Sequence, residues 1–253
     1  MKKILIVSPH LDDAVLSLGD FIYKNINNGN KVDVLTIFSG TVPKEDLSEA
    51  AKKFHSNCFL DENSMKYRKE EDKKSHDFLG CTSYYLDLPE CLYRKNKGSY
   101  LYPELSNIYH LEDNDKEILD TLYNELNKYV YKYDEVYAPM GLGGHADHLA
   151  VNKSITKLYK NMKFNLFFYE EVAYVCYYYR KRKTSNWGDN LKYKYIDITD
   201  KEFNHGLDAI LIYRSQLNIL WKNLNQLLDD LNVFSYKYSK DNKRMKRLWY
   251  YED

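Results

Sequence analysis

His10, Asp12 and Asp13 stand together directly after the apolar run Ile4-Leu5-Ile6-Val7. An imidazole beside two carboxylates can hold a divalent cation or move protons. The end of a buried strand is where an open α/β sheet places its chemistry. A second group of the same residue types, His145, Asp147 and His148, follows Gly143-Gly144 and the strand-like run Glu135-Val136-Tyr137-Ala138. Each residue alone has an ordinary structural explanation. Asp is a preferred helix N-cap that gains from the helix dipole, and a lone His is most often a hydrogen-bonded core group. Two adjacent Asp residues plus His10 exceed what a cap needs, however. Two such clusters, both at strand ends, point to a mononuclear metal site.

A metal site gives every one of these residues a task. Catalytic zinc commonly takes three protein ligands with N and O donors and leaves one position to water. His10, Asp13 and His148 form such a set of two imidazoles and one carboxylate. The same set can hold Fe(II) or another divalent cation, so the donors specify a metal more firmly than they specify zinc. Asp12, adjacent but not needed as a ligand, is placed to take the proton of a bound water. His145 is placed to stabilise or protonate the reacting oxygen or the leaving group, with Asp147 orienting it.

The elements around the clusters must bring distant parts of the chain to one place. A helix is expected over 14–27, stopped at Asn28-Gly29, then a strand over 32–38. Residues 41–63 read as an irregular polar excursion, followed by a helix over 67–79 and a strand over 83–88. Residues 90–114, with Gly98, Pro103 and four tyrosines, form a long loop whose aromatics suit a lid or substrate wall. A helix over 115–131, a strand over 135–138, a helix over 148–159 and a strand over 164–169 complete the alternation. Beyond residue 180 come Lys/Arg-rich turns, a weak strand over 193–198 and a helix from His205 to about Trp221. Strands alternating with helices imply parallel pairing by right-handed crossovers. All the loops that follow strands then emerge on one edge of the sheet, which lets residues 10–13 meet 145–148.

Composition excludes several classes. Lys+Arg and Asp+Glu balance at 37 each, so no basic field argues for nucleic acid. No apolar run approaches the ~20 residues of a membrane span, and the chain opens on a strand rather than a targeting segment. Cys58, Cys81, Cys91 and Cys176 show no paired spacing, which suits reduced thiols in the cytoplasm. No repeat or linker divides residues 1–253, so one domain is expected. Oligomeric state leaves no trace in the sequence.

The motifs also resemble a known family, the PIG-L/LmbE-like deacetylases, which remove N-acetyl groups from glucosamine-type sugars. The family's His-Pro-Asp-Asp-Glu-type run after the first strand stands here as His10-Leu11-Asp12-Asp13-Ala14, and its His-x-Asp-His as His145-Ala146-Asp147-His148. Weaker similarities are Arg68-Lys69-Glu70-Glu71 with Leu79-Gly80, Leu88-Pro89-Glu90, and Ser215-Gln216. The resemblance implies a Rossmann-like single domain with a mostly parallel sheet, helices on both faces, and a zinc-dependent hydrolase cleaving a linear amide with metal-activated water. It implies His10, Asp13 and His148 as metal ligands, Asp12 as general base, and His145 as oxyanion stabiliser or acid. The substrate it implies is a small amino-sugar molecule, touched by Arg68 and Glu90. Leu11 and Ala14 replace the usual Pro and Glu, Glu90 replaces Asp, and Tyr213 stands where His often precedes Ser-Gln. These departures bear on the substrate more than on the reaction.

Two other classes compete. A metal-dependent phosphoesterase often needs two metals roughly 3.5–4 Å apart and more bridging ligands than these clusters supply. A non-catalytic sugar- or nucleotide-binding module would use the same fold, but no Gly-x-Gly-x-x-Gly follows the first strand, and an inactive relative has no use for all five positions.

Overall fold

Ile4, Leu5, Ile6 and Val7 are all completely buried in β1 (Lys3–Ser8). That burial is why the strand is apolar throughout rather than in alternation: both of its faces are covered. The computed structural model describes residues 1–43, 47–57, 64–180, 191–239 and 241–252. From β1 the chain crosses through α1 (Asp13–Asn27) to β2 (Lys31–Thr36), then through α2 (Glu49–Asn57) and α3 (Ser64–Leu79) to β3 (Thr82–Tyr85). A short hairpin, β4 (Lys95–Asn96) and β5 (Ser99–Tyr100), lies between β3 and α4 (Lys116–Asn127). Next come β6 (Glu135–Pro139), α5 (Ala146–Asn161), β7 (Leu166–Tyr169) and α6 (Val172–Arg180). The C-terminal third holds β8 (Leu191–Ile198), α7 (Asp200–Ile210), α8 (Arg214–Leu220), α9 (Leu224–Tyr236) and β9 (Arg244–Tyr251).

Among the described residues the main sheet has the order β3-β2-β1-β6-β7-β9-β8. It is parallel from β3 through β7, with Ile4 opposite both Val32 and Glu135. Ile4, Ile6, Val32 and Val34 point into one core with α1, α7 and α9, whereas Leu5, Val7, Leu35 and Val136 point into a second core with α4 and α5. The expected α/β architecture, a Rossmann-like sheet with helices on both faces, is therefore present.

The C-terminal region departs from expectation. β9, unforeseen, inserts antiparallel between β7 and β8, so the sheet is mixed at one end. The helix expected over 205–221 is two helices. It begins early because Thr199 and Glu202 form a reciprocal capping box, and it breaks before Tyr213. The expected excursion over 41–63 contains α2, which Ser48 caps by accepting from the Ala51 N–H at 3.0 Å and which buries Ala50 and Ala51 against Leu92 and Tyr102. The Lys/Arg-rich turns beyond 180 and Cys58 lie outside the described residues.

Candidate metal centre and active site

β1 and β6 are neighbours, yet their following helices pack on opposite faces of the sheet, α1 with one core and α5 with the other. The loops after them diverge, and a crevice opens at this switch point, the usual ligand position in a doubly wound sheet. His10, Asp12 and Asp13 enter it from β1, and His145, Asp147 and His148 from β6.

The first loop is shaped by Ser8, whose hydroxyl donates to the His10 carbonyl at 2.7 Å and accepts from the Ala14 N–H at 3.0 Å. Ser8 thus does the capping at α1, and Asp12 makes no side-chain cap bond. Asp13 accepts from the His10 backbone N–H at 2.9 Å. Its same oxygen, Oδ2, lies 3.2 Å from His10 Nδ1 and 3.2 Å from His148 Nε2. One donor atom from each of these three residues lies within 4.8 Å of the other two, so they can share one ion.

The outward nitrogens of both imidazoles meet buried carboxylates. His10 Nε2 is 2.9 Å from Asp147 Oδ2, and His148 Nδ1 is 3.0 Å from Glu171 Oε1. Each carboxylate holds a proton on the far nitrogen and leaves the near one free as a donor, the arrangement that orients metal-binding histidines. Burial lowers the basicity of both rings, but Asp13 and Asp147 hold His10 well above its ordinary pKa, and Asp13 and Glu171 hold His148 up at about 9. Cation binding must displace those protons. A second group, His10, His145 and Asp147, also clusters, but it shares His10, and its carboxylate is committed elsewhere. The donor chemistry and the oriented rings fit a single divalent cation at His10, Asp13 and His148.

Asp12 is buried and makes no side-chain hydrogen bond among the described residues. Burial, followed by the Asp13 charge, pushes its carboxyl up to about 7 against the pull of Arg68 and His10. His145 caps α5 by accepting the Asp147 N–H on Nδ1 at 3.3 Å. Its proton therefore sits on Nε2. Burial brings this imidazole down to about 3 despite the Asp147 charge, so the neutral ring is a hydrogen-bond donor.

Asp147 does not orient His145 as expected from the sequence. Its carboxylate stands 4.0 Å from His145 Nδ1 and instead engages His10, the Cys91 N–H at 3.0 Å and the Arg94 guanidinium. The close spacing in sequence directs only the Asp147 backbone toward His145.

Arg68 is no solvated helix charge. It is 5 % exposed and pairs with Glu90, 6 % exposed, at 2.7 Å. Both line a cavity of about 660 Å³ whose floor is His10, Asp12, Asp13, His145 and His148. Cys91, Leu92, Ile108 and Tyr109 of the 90–114 segment form one wall, and Phe54, Tyr174, Gln216, Ile219 and Leu220 are among the rest of the lining. Tyr213 is outside this lining and donates to Asp72 at 2.8 Å. Glu171, Arg94 and Tyr174 stand at the site without any motif in the sequence that marks them. The nearest to a signal is the acidic pair Glu170-Glu171 directly after β7; nothing local marks the other two.

Fold and site together define a doubly wound α/β protein whose switch point gathers three side chains able to hold one cation. Residues 5–159 match the PIG-L family, described as GlcNAc-PI de-N-acetylase. The match covers more than half of the chain, which therefore belongs to that family. A curated relative, 2′-N-acetylparomamine deacetylase of Niallia circulans, is 25 % identical over 191 residues, 68 % of each chain. Among solved structures, the zinc-inhibited form of teicoplanin deacetylase Orf2 superposes with a TM-score of 0.86 at 22 % identity, covering 99 % of both chains. N,N′-diacetylchitobiose deacetylase from Pyrococcus horikoshii gives 0.62 at 19 % identity, covering 99 % of this chain and 84 % of that one. Among the described residues no helix is long and apolar enough to cross a membrane.

Proposed function

We propose that this chain is a metal-dependent N-deacetylase, removing an N-acetyl or related N-acyl group from an amino-sugar conjugate. The observation that carries the proposal is the shared position of His10, Asp13 and His148 beside an unbonded, buried Asp12. The deacetylase relatives support it. Zinc is the cation to try first, since two imidazoles and one carboxylate are a common catalytic zinc set.

A cation held by these three residues would polarise the acyl carbonyl and bring the pKa of a water towards ~7. Asp12, with its carboxyl near neutrality, takes the proton of the attacking water and passes it to the departing sugar amine. His145 donates Nε2–H to the acyl oxygen as negative charge grows there. Water adds to the acyl carbon, the C–N bond breaks, and acetate and a free amine leave. Asp147 keeps His10 oriented. Arg68 and Glu90 face the sugar's polar groups, and the apolar rim at Ile108, Tyr109, Ile219 and Leu220 receives whatever the sugar is attached to. The 90–114 segment acts as substrate wall. Cys81, Cys91 and Cys176 are buried thiols, which supports a reducing compartment such as the cytoplasm.

The test combines metal analysis of the purified chain with a free-amine assay over N-acetylated amino sugars and their conjugates. One cation per chain and amine release support the proposal. Two cations per chain, with phosphate-ester cleavage and no amine release, would instead make this a phosphoesterase.

A further inference from the structure

Arg94 is a cation that the proposed chemistry does not use, and it is 7 % exposed. It sits immediately before the β4–β5 hairpin, inside the 90–114 segment. Its guanidinium is held between the rings of Phe38 and Tyr102, with centroids 5.2 and 5.4 Å away. Nε and Nη2 reach Asp115 Oδ2 at 2.8 and 2.7 Å. Nη1 donates to the Pro89 carbonyl at 3.2 Å and to Asp147 Oδ1. The other oxygen of Asp147 takes the Cys91 N–H and His10 Nε2. One completely buried carboxylate therefore joins two segments: the substrate wall, through Arg94 and Cys91, and the proposed ligand His10.

This arrangement has a chemical consequence. With Arg94 removed, Asp147 Oδ1 has no guanidinium to fix it, so the carboxylate can turn and His10 Nε2 loses the acceptor that sets its orientation. Without that acceptor His10 can turn its protonated nitrogen toward the cation position. Asp115 and the Tyr102 hydroxyl, which donates to Asp115 at 2.9 Å, fix the guanidinium from the wall side. Arg94, itself in the wall segment, thus has one carboxylate partner at the start of α4 and one behind the ligand.

We propose that Arg94 is a positioning residue for His10, acting through Asp147, and that it makes the 90–114 wall and the cation centre a single cooperative unit. This rests on the metal-centre reading above and goes beyond it: cation binding orders the wall, and a disordered wall weakens cation binding. The coupling must be reciprocal, because it is a free energy between two sites.

Cation affinity, measured by competition with a chromophoric chelator, and amide exchange over residues 91–112 test the idea without any substrate. Arg94→Met is expected to weaken zinc binding by about 10- to 100-fold, the usual effect of losing a group that orients a metal ligand. It should also abolish the protection of amides 91–112 that zinc confers on the wild type. Arg94→Lys, which retains the charge without the fork, should recover part of the affinity. In an Asp147→Asn background, Arg94→Met should weaken zinc binding by less than about threefold more, since the route through Asp147 is already cut. Equal zinc affinity in wild type and Arg94→Met, or a full additional loss in the Asp147→Asn background, overturns the inference. A wild-type chain that binds no divalent cation defeats the metal-centre reading itself, so the two failures are distinct.

Discussion

Asp12 and Asp147 are buried carboxylates on the same crevice, and their surroundings push them to opposite ends of the titration range. Burial and the Asp13 charge bring Asp12 near neutrality. Burial works in the same direction on Asp147, but Arg94 and the His10 hydrogen bond overcome it and hold that carboxyl far below its ordinary value. One group can exchange a proton at physiological pH, and the other stays an anion. Such divergence is how neighbouring acids acquire separate tasks. Asp12→Asn is accordingly expected to cut deacetylase turnover by at least ~10²-fold, the scale of general acid–base contributions, with cation stoichiometry unchanged on metal analysis. Full turnover in that variant would mean that another group is the base. His148→Ala removes a donor rather than a proton carrier, so the purified protein should contain far less than one cation per chain.

The loop between β6 and α5 shows what the elements require of the sequence. Gly143 has φ near +82°, and a Cβ there would lie 2.2 Å from the Tyr174 ring. That ring lines the cavity and meets His148 edge-on at 5.3 Å. Glycine is needed both for the left-handed backbone and for the space that α6 fills from the other side. Gly143→Ala should therefore destabilise the fold by more than ~1 kcal/mol in urea titration, and it should displace Tyr174. On the opposite wall α2 depends on its cap. Ser48→Ala is expected to cost ~1 kcal/mol, read as lower protection of the α2 amides, without loss of the cation.

The whole molecule is closed by contacts between distant parts of the chain. The proposed ligands come from the first loop and from α5, so the unfolded chain does not hold the three donors together. A cation that binds only the folded state stabilises it by ~2.7 kcal/mol at one hundred times its dissociation constant. For a chain of this size that corresponds to a melting temperature raised by roughly 5–10 °C, reversed by a chelator. An unchanged melting temperature with saturating zinc would count against the centre. The sheet's far end is equally dependent on distant sequence. β9 occupies the slot between β7 and β8, and Lys246 on β9 donates to the Ser17 carbonyl at 2.7 Å and pairs with Asp20 of α1 at 3.2 Å. A chain ending at residue 243 would expose two strand edges, and it is expected to aggregate on expression.

Local patterns were enough to place β1, α1, β2, β6, α5 and β7, because continuous apolar runs, glycine stops and helical periodicity are properties of neighbouring residues. The two His/Asp clusters were visible for the same reason, and parallel alternation alone predicted that they would meet. Tertiary structure decided which carboxylate each imidazole faces. Asp147 is two residues from His145, yet its side chain serves His10, while Glu171 and Arg94 come from elements whose approach no local spacing encodes. β9 was likewise hidden, since a mixed strand following helices has no neighbour in sequence to pair with. Hydrogen bonding within a buried site depends on which elements pack together, and packing is settled by the whole chain rather than by any window of it.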